Sequence, residues 1–215
     1  MNRYFITVAG NIGVGKSTLV KLLAGQLAWR PFYEGFAENP YLEDFYSDMS
    51  RWAFHSQLFF LTQRLEQHGR LLQYQHEGTV IQDRSVYEDA EIFAKNLYRQ
   101  GNMAERDWQT YWRIYQTLSK LLRPPNLIVY LRASVPTLKK RIALRGRAYE
   151  QNIDADYLQQ LNTLYDEWID NFTLCPVLTV ETDNLNYVQY ETHLSEIIHR
   201  IQQRLHGKDV LTLGE

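Results

Sequence analysis

The segment Gly10-Asn11-Ile12-Gly13-Val14-Gly15-Lys16-Ser17 constrains this chain more than any other stretch. It has the form glycine, four residues of any kind, then glycine-lysine-serine. Before it, Tyr4 to Val8 (Tyr-Phe-Ile-Thr-Val) is aromatic and β-branched and reads as a buried strand. After it, Thr18 to Leu27 carries Leu19, Leu22, Leu23 and Leu27 at helical spacing. A glycine loop between a strand and a helix N-terminus can turn its N–H groups around phosphate oxygens, where the helix dipole adds positive charge. Gly10, Asn11, Ile12, Gly13, Val14, Gly15, Lys16, Ser17 and Thr18 are therefore the expected phosphate-binding residues. Lys16 is expected on the β- and γ-phosphates, and the Ser17 hydroxyl on Mg²⁺. A chance glycine-rich turn would not account for the strand and helix that flank it. The loop implies a nucleoside triphosphate and Mg²⁺ but leaves the phosphate acceptor open.

The chain has 215 residues, enough for one domain over about 1–205, with a loosely held tail at 206–215. Net charge is −2, which argues against a general nucleic-acid surface. The single cysteine, Cys175, excludes an intrachain disulfide and suits a reducing, cytoplasmic setting; beside Pro176 it reads as core filler. The apolar run after Arg3 is too short for a signal peptide, and no uncharged run approaches the roughly 18 residues of a membrane span.

Along the chain, Pro31-Phe32-Tyr33-Glu34 reads as a short strand ending in a carboxylate. Asn39-Pro40 reads as a helix N-cap followed by proline in the first turn. A long helix is expected from about Ser50 to Gln75, then a strand at Thr79-Val80-Ile81 closed by Asp83-Arg84-Ser85. Helices follow at about Val86–Arg99 and Glu105–Leu122, the second stopped by Pro124-Pro125. Leu127 to Leu131 is the clearest buried strand. Ser134 is expected to cap a helix to about Leu144, Arg145 to Asn152 is an arginine-rich loop, and Asp154 to Phe172 is helical. Val177–Val180 is the last strand and Tyr187–Leu205 the last helix. Strands alternating with helices imply an α/β fold: a parallel sheet of about five strands, covered on both faces, with ligands at the strands' carboxyl ends. That rule gathers the glycine loop, Glu34, Asp83 and Arg84.

Some polar residues sit where apolar ones belong. In the long helix Phe54, Leu58, Leu61, Leu65 and Leu72 form an apolar stripe, and Gln57 and Arg64 share that face. They either pair with neighbouring backbone or line a pocket. In the next helix Asp89 and Phe93 lie one turn apart. Gln, Arg, Asp and Phe together suit a base-binding slot. Arg141 and Arg145 share a helix face and Arg147 follows; near a phosphate donor, such arginines suit a lid over the transferring group.

These residues carry a resemblance. The chain resembles the deoxyribonucleoside kinases, most of all the bacterial deoxyadenosine/deoxyguanosine kinases. The motifs are Gly10–Ser17; Tyr33-Glu34 with Glu38-Asn39-Pro40-Tyr41; Arg51-Trp52 with Gln57 and Arg64; Asp83-Arg84-Ser85 with Asp89 and Phe93; and Arg141, Arg145-Gly146-Arg147 and Glu150. The resemblance implies a P-loop kinase fold whose arginine-rich lid covers about 145–152. It implies transfer of the γ-phosphate of ATP to the 5′-hydroxyl of a 2′-deoxynucleoside, deoxyadenosine and/or deoxyguanosine. Glu34 would be the general base, with Arg84 and Lys16 as its catalytic companions. Ser17 and Asp83 would position Mg²⁺. Tyr46 and Glu150 would hold the 3′-hydroxyl; Gln57, Arg64 and Asp89 would read the base and Phe93 would stack on it. Arg141, Arg145 and Arg147 would form the lid. The family also implies a homodimer.

Other readings are a deoxycytidine-preferring or broader kinase, a nucleoside monophosphate kinase, and a nucleotide switch. The second needs cations at its acceptor site, which Glu34 contradicts; the third lacks an Asn-Lys-x-Asp guanine motif. Glu34→Gln is expected to lower kcat by about 10²–10⁴ while deoxynucleoside binding persists, because the carboxamide takes up no proton. Steady-state kinetics with an equilibrium titration of the nucleoside check this.

Overall fold

The computed structural model describes residues 3–33, 39–147, 150 and 153–206. Glu34, Glu38, much of the arginine-rich loop and the tail from 207 lie outside the described residues. The five strands among the described residues are β1 (Phe5–Gly10), β2 (Arg30–Phe32), β3 (Val80–Asp83), β4 (Leu127–Arg132) and β5 (Val177–Glu181). They form one sheet in the order β2-β3-β1-β4-β5, every neighbouring pair parallel. This is the expected α/β architecture. Ile6 lies opposite Ile81 on one side and Leu127 on the other, and Val8 opposite Asp83 and Val129. The chain leaves β1 to one side for β2 and β3 and to the other for β4 and β5. The glycine loop therefore emerges where the strand order reverses, the usual ligand crevice of such sheets.

Alternation along the strands builds two cores. Ile6, Val8, Leu127, Val129 and Leu131 face α1 (Lys16–Leu27), α7 (Val135–Arg145) and α9 (Glu191–His206). Ala9, Ile128 and Tyr130 face the other layer: α3 (Met49–Gln75), α6 (Glu105–Ser119), α8 (Ala155–Asn171) and the helical run after β3. No helix among the described residues is long and apolar enough to cross a membrane.

The structure departs from the sequence expectations in particular places. Asn39 is not an N-cap. α2 (Leu42–Ser47) starts later. The Asn39 side chain instead accepts the Tyr41 N–H at 2.9 Å and donates to the Ser56 hydroxyl at 3.0 Å, pinning the entering chain to α3. On α3 the most buried face runs through Ala53, Gln57, Leu61, Arg64, His68 and Leu71. Phe54, Leu58, Leu65 and Leu72 are only partly buried. The expected helix over Val86–Arg99 is α4 (Val86–Glu88), a π-helical turn (Asp89–Ala94) and α5 (Lys95–Arg99). α6 ends at Ser119 rather than Leu122. α9 begins at Glu191, because Asn186 accepts the Gln189 N–H at 3.0 Å and Tyr187 is drawn toward the glycine loop.

Ile6 is fully buried in the central strand. Ile6→Ala should destabilise the fold by about 2–5 kcal/mol, seen as an earlier urea midpoint with an unchanged slope.

Candidate active site

The glycine loop is held from outside. Gly13 has φ +81°, and a Cβ there would lie 2.6 Å from Ile142 Cγ1, so only glycine lets the loop press against α7. The Asn11 amide donates to Leu158 O at 2.9 Å and Asn162 Oδ1 at 2.8 Å, anchoring the loop to α8. The Tyr187 hydroxyl donates to Gly15 O at 3.2 Å. Arg141 Nη1 donates to Val14 O at 2.9 Å and Nη2 to Thr182 O at 2.6 Å. The first of the three expected lid arginines thus ties the loop to the turn after β5, while still reaching the cleft. Lys16 donates to Gly10 O at 2.8 Å and Asn11 O at 3.0 Å. Ser17 donates to the Asp83 carboxylate at the end of β3.

In front of the loop lies a cleft of about 790 Å³. Residues Ile12 to Thr18 form one wall. Tyr46, Gln57, Arg84, Asp89 and Phe93 form the opposite wall, and Arg145, Arg147 and Glu150 stand at its side. Gly10, Asn11, Asp83 and Arg64 sit one layer back. Arg64, 5% exposed, donates from Nε to Asp89 Oδ2 at 3.0 Å and from Nη1 to Asp83 O at 3.2 Å. The Arg84 guanidinium lies 4.1 Å from the Phe93 ring centroid, covering one face of that ring. Its backbone is left-handed, φ +67°, which is uncommon for a residue with a Cβ. Arg145 and Arg147 both bond Glu150, the latter at 3.3 Å, and Glu150 is 3% exposed.

Sequence reasoning missed three parts of the site. Tyr157 at the start of α8 lines the cleft; burial pushes its phenol up to about 12 against the pull of Arg84, so it is a hydrogen-bond donor at neutral pH. Nothing local marks it. The segment Asp183 to Val188 lines the cleft beyond the loop, next to Lys140 and Thr137. Glu88, buried beneath the loop, was legible as the fourth residue of a Ser-x-x-Glu capping box. Burial raises its carboxyl above the usual range, with Arg84 and Lys16 pulling the other way.

A model of deoxynucleoside kinases matches residues 6–206. The chain belongs to the deoxynucleoside kinase family. A deoxyadenosine/deoxycytidine kinase of Bacillus subtilis is 36% identical over 94% of this chain and 93% of its own length. A deoxyguanosine kinase of the same organism is 30% identical over 93% of this chain and 96% of its own. A solved deoxyadenosine kinase from M. mycoides, with dCMP and a flexible dCDP bound, superposes with a TM-score of 0.81 at 31% identity, over 93% of this chain and 99% of that one. The activity of this deoxynucleoside kinase is accordingly ATP-dependent phosphotransfer. The cleft has the form that this requires: a phosphate-type loop at one wall, hydrogen-bonding and aromatic groups at the other, and cations between them.

Lys16→Ala should raise the KM for ATP and lower kcat, with the circular dichroism spectrum unchanged. Its ammonium bonds the carbonyls of Gly10 and Asn11 within the loop, where phosphate would take their place. Unchanged kinetics would remove the loop from the donor site.

Proposed function

We propose that this kinase phosphorylates purine 2′-deoxynucleosides at the 5′-hydroxyl, deoxyadenosine foremost. The observation that carries the choice of amino-bearing bases over thymine is the buried Arg64–Asp89 pair, whose Asp89 lines the cleft. The narrower choice of purines over deoxycytidine rests on the family resemblance around Glu38-Asn39-Pro40. Arg64 stands behind Asp89 and orients it, so an acceptor-only carboxylate faces the cleft. Adenine and cytosine bring an exocyclic amino group to such an acceptor. Guanine brings a carbonyl and a ring nitrogen, which need a donor such as Gln57 at the cleft wall, and thymine brings a carbonyl and a methyl group. Phe93, with Arg84 over one face, offers its ring to the base. The relatives named for deoxyadenosine, deoxycytidine and deoxyguanosine support this set of substrates, and deoxycytidine follows as a second substrate from the same Asp89 chemistry.

In this reading Glu34, two residues after β2 in the sequence, takes the 5′-hydroxyl proton as that oxygen bonds to the γ-phosphorus and ADP leaves. Arg84 holds the 5′-oxygen side, and Lys16 the phosphates. Tyr46 and Glu150 bind the 3′-hydroxyl. Arg145 and Arg147 move from Glu150 to the transferring phosphoryl group, whose charge spreads over its oxygens. Ser17 and Asp83 offer one hydroxyl and one carboxylate in direct contact beside the loop, a hard oxygen pair that fits Mg²⁺. That ion would neutralise phosphate charge. A cytoplasmic homodimer completes the reading. Its support is the family resemblance and the partly buried Phe54, Leu58 and Leu65 along α3 beside the base wall, and sedimentation velocity tests it.

Comparing kcat/KM for deoxyadenosine, deoxyguanosine, deoxycytidine and thymidine tests the base assignment. Thymidine should be poorer than deoxyadenosine by about tenfold to a hundredfold, the cost of leaving a buried charged acceptor unpaired. Replacing both partners, Arg64→Met with Asp89→Ala, should narrow that gap. A double variant that loses stability with no change of substrate ranking would make the pair a helix brace only.

A further inference from the structure

Glu88 is fully buried at the end of α4 and has no place among the predicted donor or acceptor residues. Its two oxygens serve different parts of the site. Oε1 accepts the Gly10 N–H at 3.2 Å, where β1 becomes the glycine loop. Oε2 accepts the Ser85 N–H at 2.9 Å and the Ser85 hydroxyl at 3.2 Å, beside Arg84. A capping box needs only the Ser85 contacts. The bond to Gly10 is additional, and it joins two loops that leave adjacent strands. Burying a carboxyl group is unfavourable unless its oxygens are satisfied, so this position is restrictive.

Arg84 gives the bridge its consequence. Its left-handed backbone, φ +67°, persists only where the surroundings hold it. Arg84 N donates to Val8 O at 3.0 Å on one side, and the Ser85 contacts to Glu88 hold the other. Tyr165, fully buried on α8, completes the unit. Its hydroxyl lies 2.8 Å from Gly10 O and 2.9 Å from Glu88 Oε1. One hydroxyl proton cannot serve both acceptors. Gly10 O also receives Lys16. When Lys16 turns to phosphate, Tyr165 remains as the donor to that carbonyl.

We propose that Glu88 is a positioning residue for phosphoryl transfer, fastening the Gly10–Ser17 loop to the turn that carries Arg84, with Tyr165 as its partner. This rests on the kinase activity, so the wild-type chain is first shown to phosphorylate deoxyadenosine; failure there would sink that activity and not this assignment. Glu88→Gln keeps the shape but offers one acceptor oxygen, so either the Gly10 or the Ser85 N–H faces an amide NH₂. Measured below its melting temperature with both substrates saturating, Glu88→Gln should lose about tenfold to a hundredfold in kcat, Glu88→Ala at least as much, with the deoxynucleoside KM within about twofold of wild type. Tyr165→Phe should raise the ATP KM about threefold or more with a smaller effect on kcat. A folded Glu88→Gln enzyme with lowered melting temperature and kcat within about twofold of wild type overturns the proposal, since that is the signature of a purely structural group. If both Glu88 variants fail to fold, Tyr165→Phe decides: an unchanged ATP KM overturns it.

Discussion

The carbonyl oxygens of the glycine loop are the points on which the rest of the site leans. A phosphate cradle needs its N–H groups turned inward, and in a trans peptide the C=O points opposite to the N–H that follows it. Inward amides therefore require outward carbonyls, and outward carbonyls inside a protein require donors. The structure supplies them from every direction. Tyr165 from α8 and Lys16 itself serve Gly10 O, Arg141 from α7 serves Val14 O, and Tyr187 after β5 serves Gly15 O. The loop is shaped by tertiary contacts as much as by its glycines. Apart from Lys16, those contacts use side chains more than a hundred residues away in sequence.

The same economy governs the charges in the cleft. Arg145 and Arg147 rest on Glu150, Arg64 rests on Asp89, and Ser17 bonds Asp83. A buried charge without a partner is destabilising, so each is matched inside the protein before substrate arrives. Substrate oxygens and amino groups then replace or extend existing bonds. Arg145 and Arg147 already line the cleft while bonded to Glu150, as the proposed lid role requires.

How far the sequence revealed this depends on the range of the interaction. The strand-loop-helix unit at the glycine motif was legible because its signals are adjacent. The parallel sheet followed from alternation of strands and helices. Gln57 and Arg64 betrayed the pocket because polar residues broke the apolar pattern of α3. The pattern misplaced the stripe, though: the face through Ala53, Gln57 and Leu61 is the most buried, and Phe54, Leu58 and Leu65 are not. Small and polar residues are buried there because Asn39, Asp89 and the cleft supply partners, and hydrophobicity alone does not register partners. The π-helical turn at Asp89–Ala94 was invisible for a related reason. Local propensity does not mark the extra residue per turn, and the turn carries Asp89 and Phe93 in buried positions. Asn39 was read as a cap because residue type suggests the hydrogen bond to a following N–H, which it does accept from Tyr41, but not where the helix begins. Glu34, which the motif marks most strongly, lies outside the described residues.

Arg64 shows why its place one layer behind the wall matters. Its Nε holds Asp89 at the base wall. One Nη1 hydrogen bond goes to Asp83 O, on the residue whose carboxylate meets Ser17. The other, at 3.3 Å, goes to Gln67, whose own amide donates to Tyr33 O at 2.7 Å, immediately before Glu34. One rigid guanidinium thus links the base-facing carboxylate, the end of β3 beside the phosphate loop and the approach to the predicted general base. A planar fork transmits displacement better than a flexible ammonium, because its donors move together. A base that pairs with Asp89 in place leaves all three undisturbed, whereas one that pushes Asp89 aside loads the same guanidinium that braces the reacting end. In the proposed reading, base selection and alignment of the phosphoryl transfer are for this reason parts of one hydrogen-bonded unit, and a lysine at position 64 would supply the charge without the geometry.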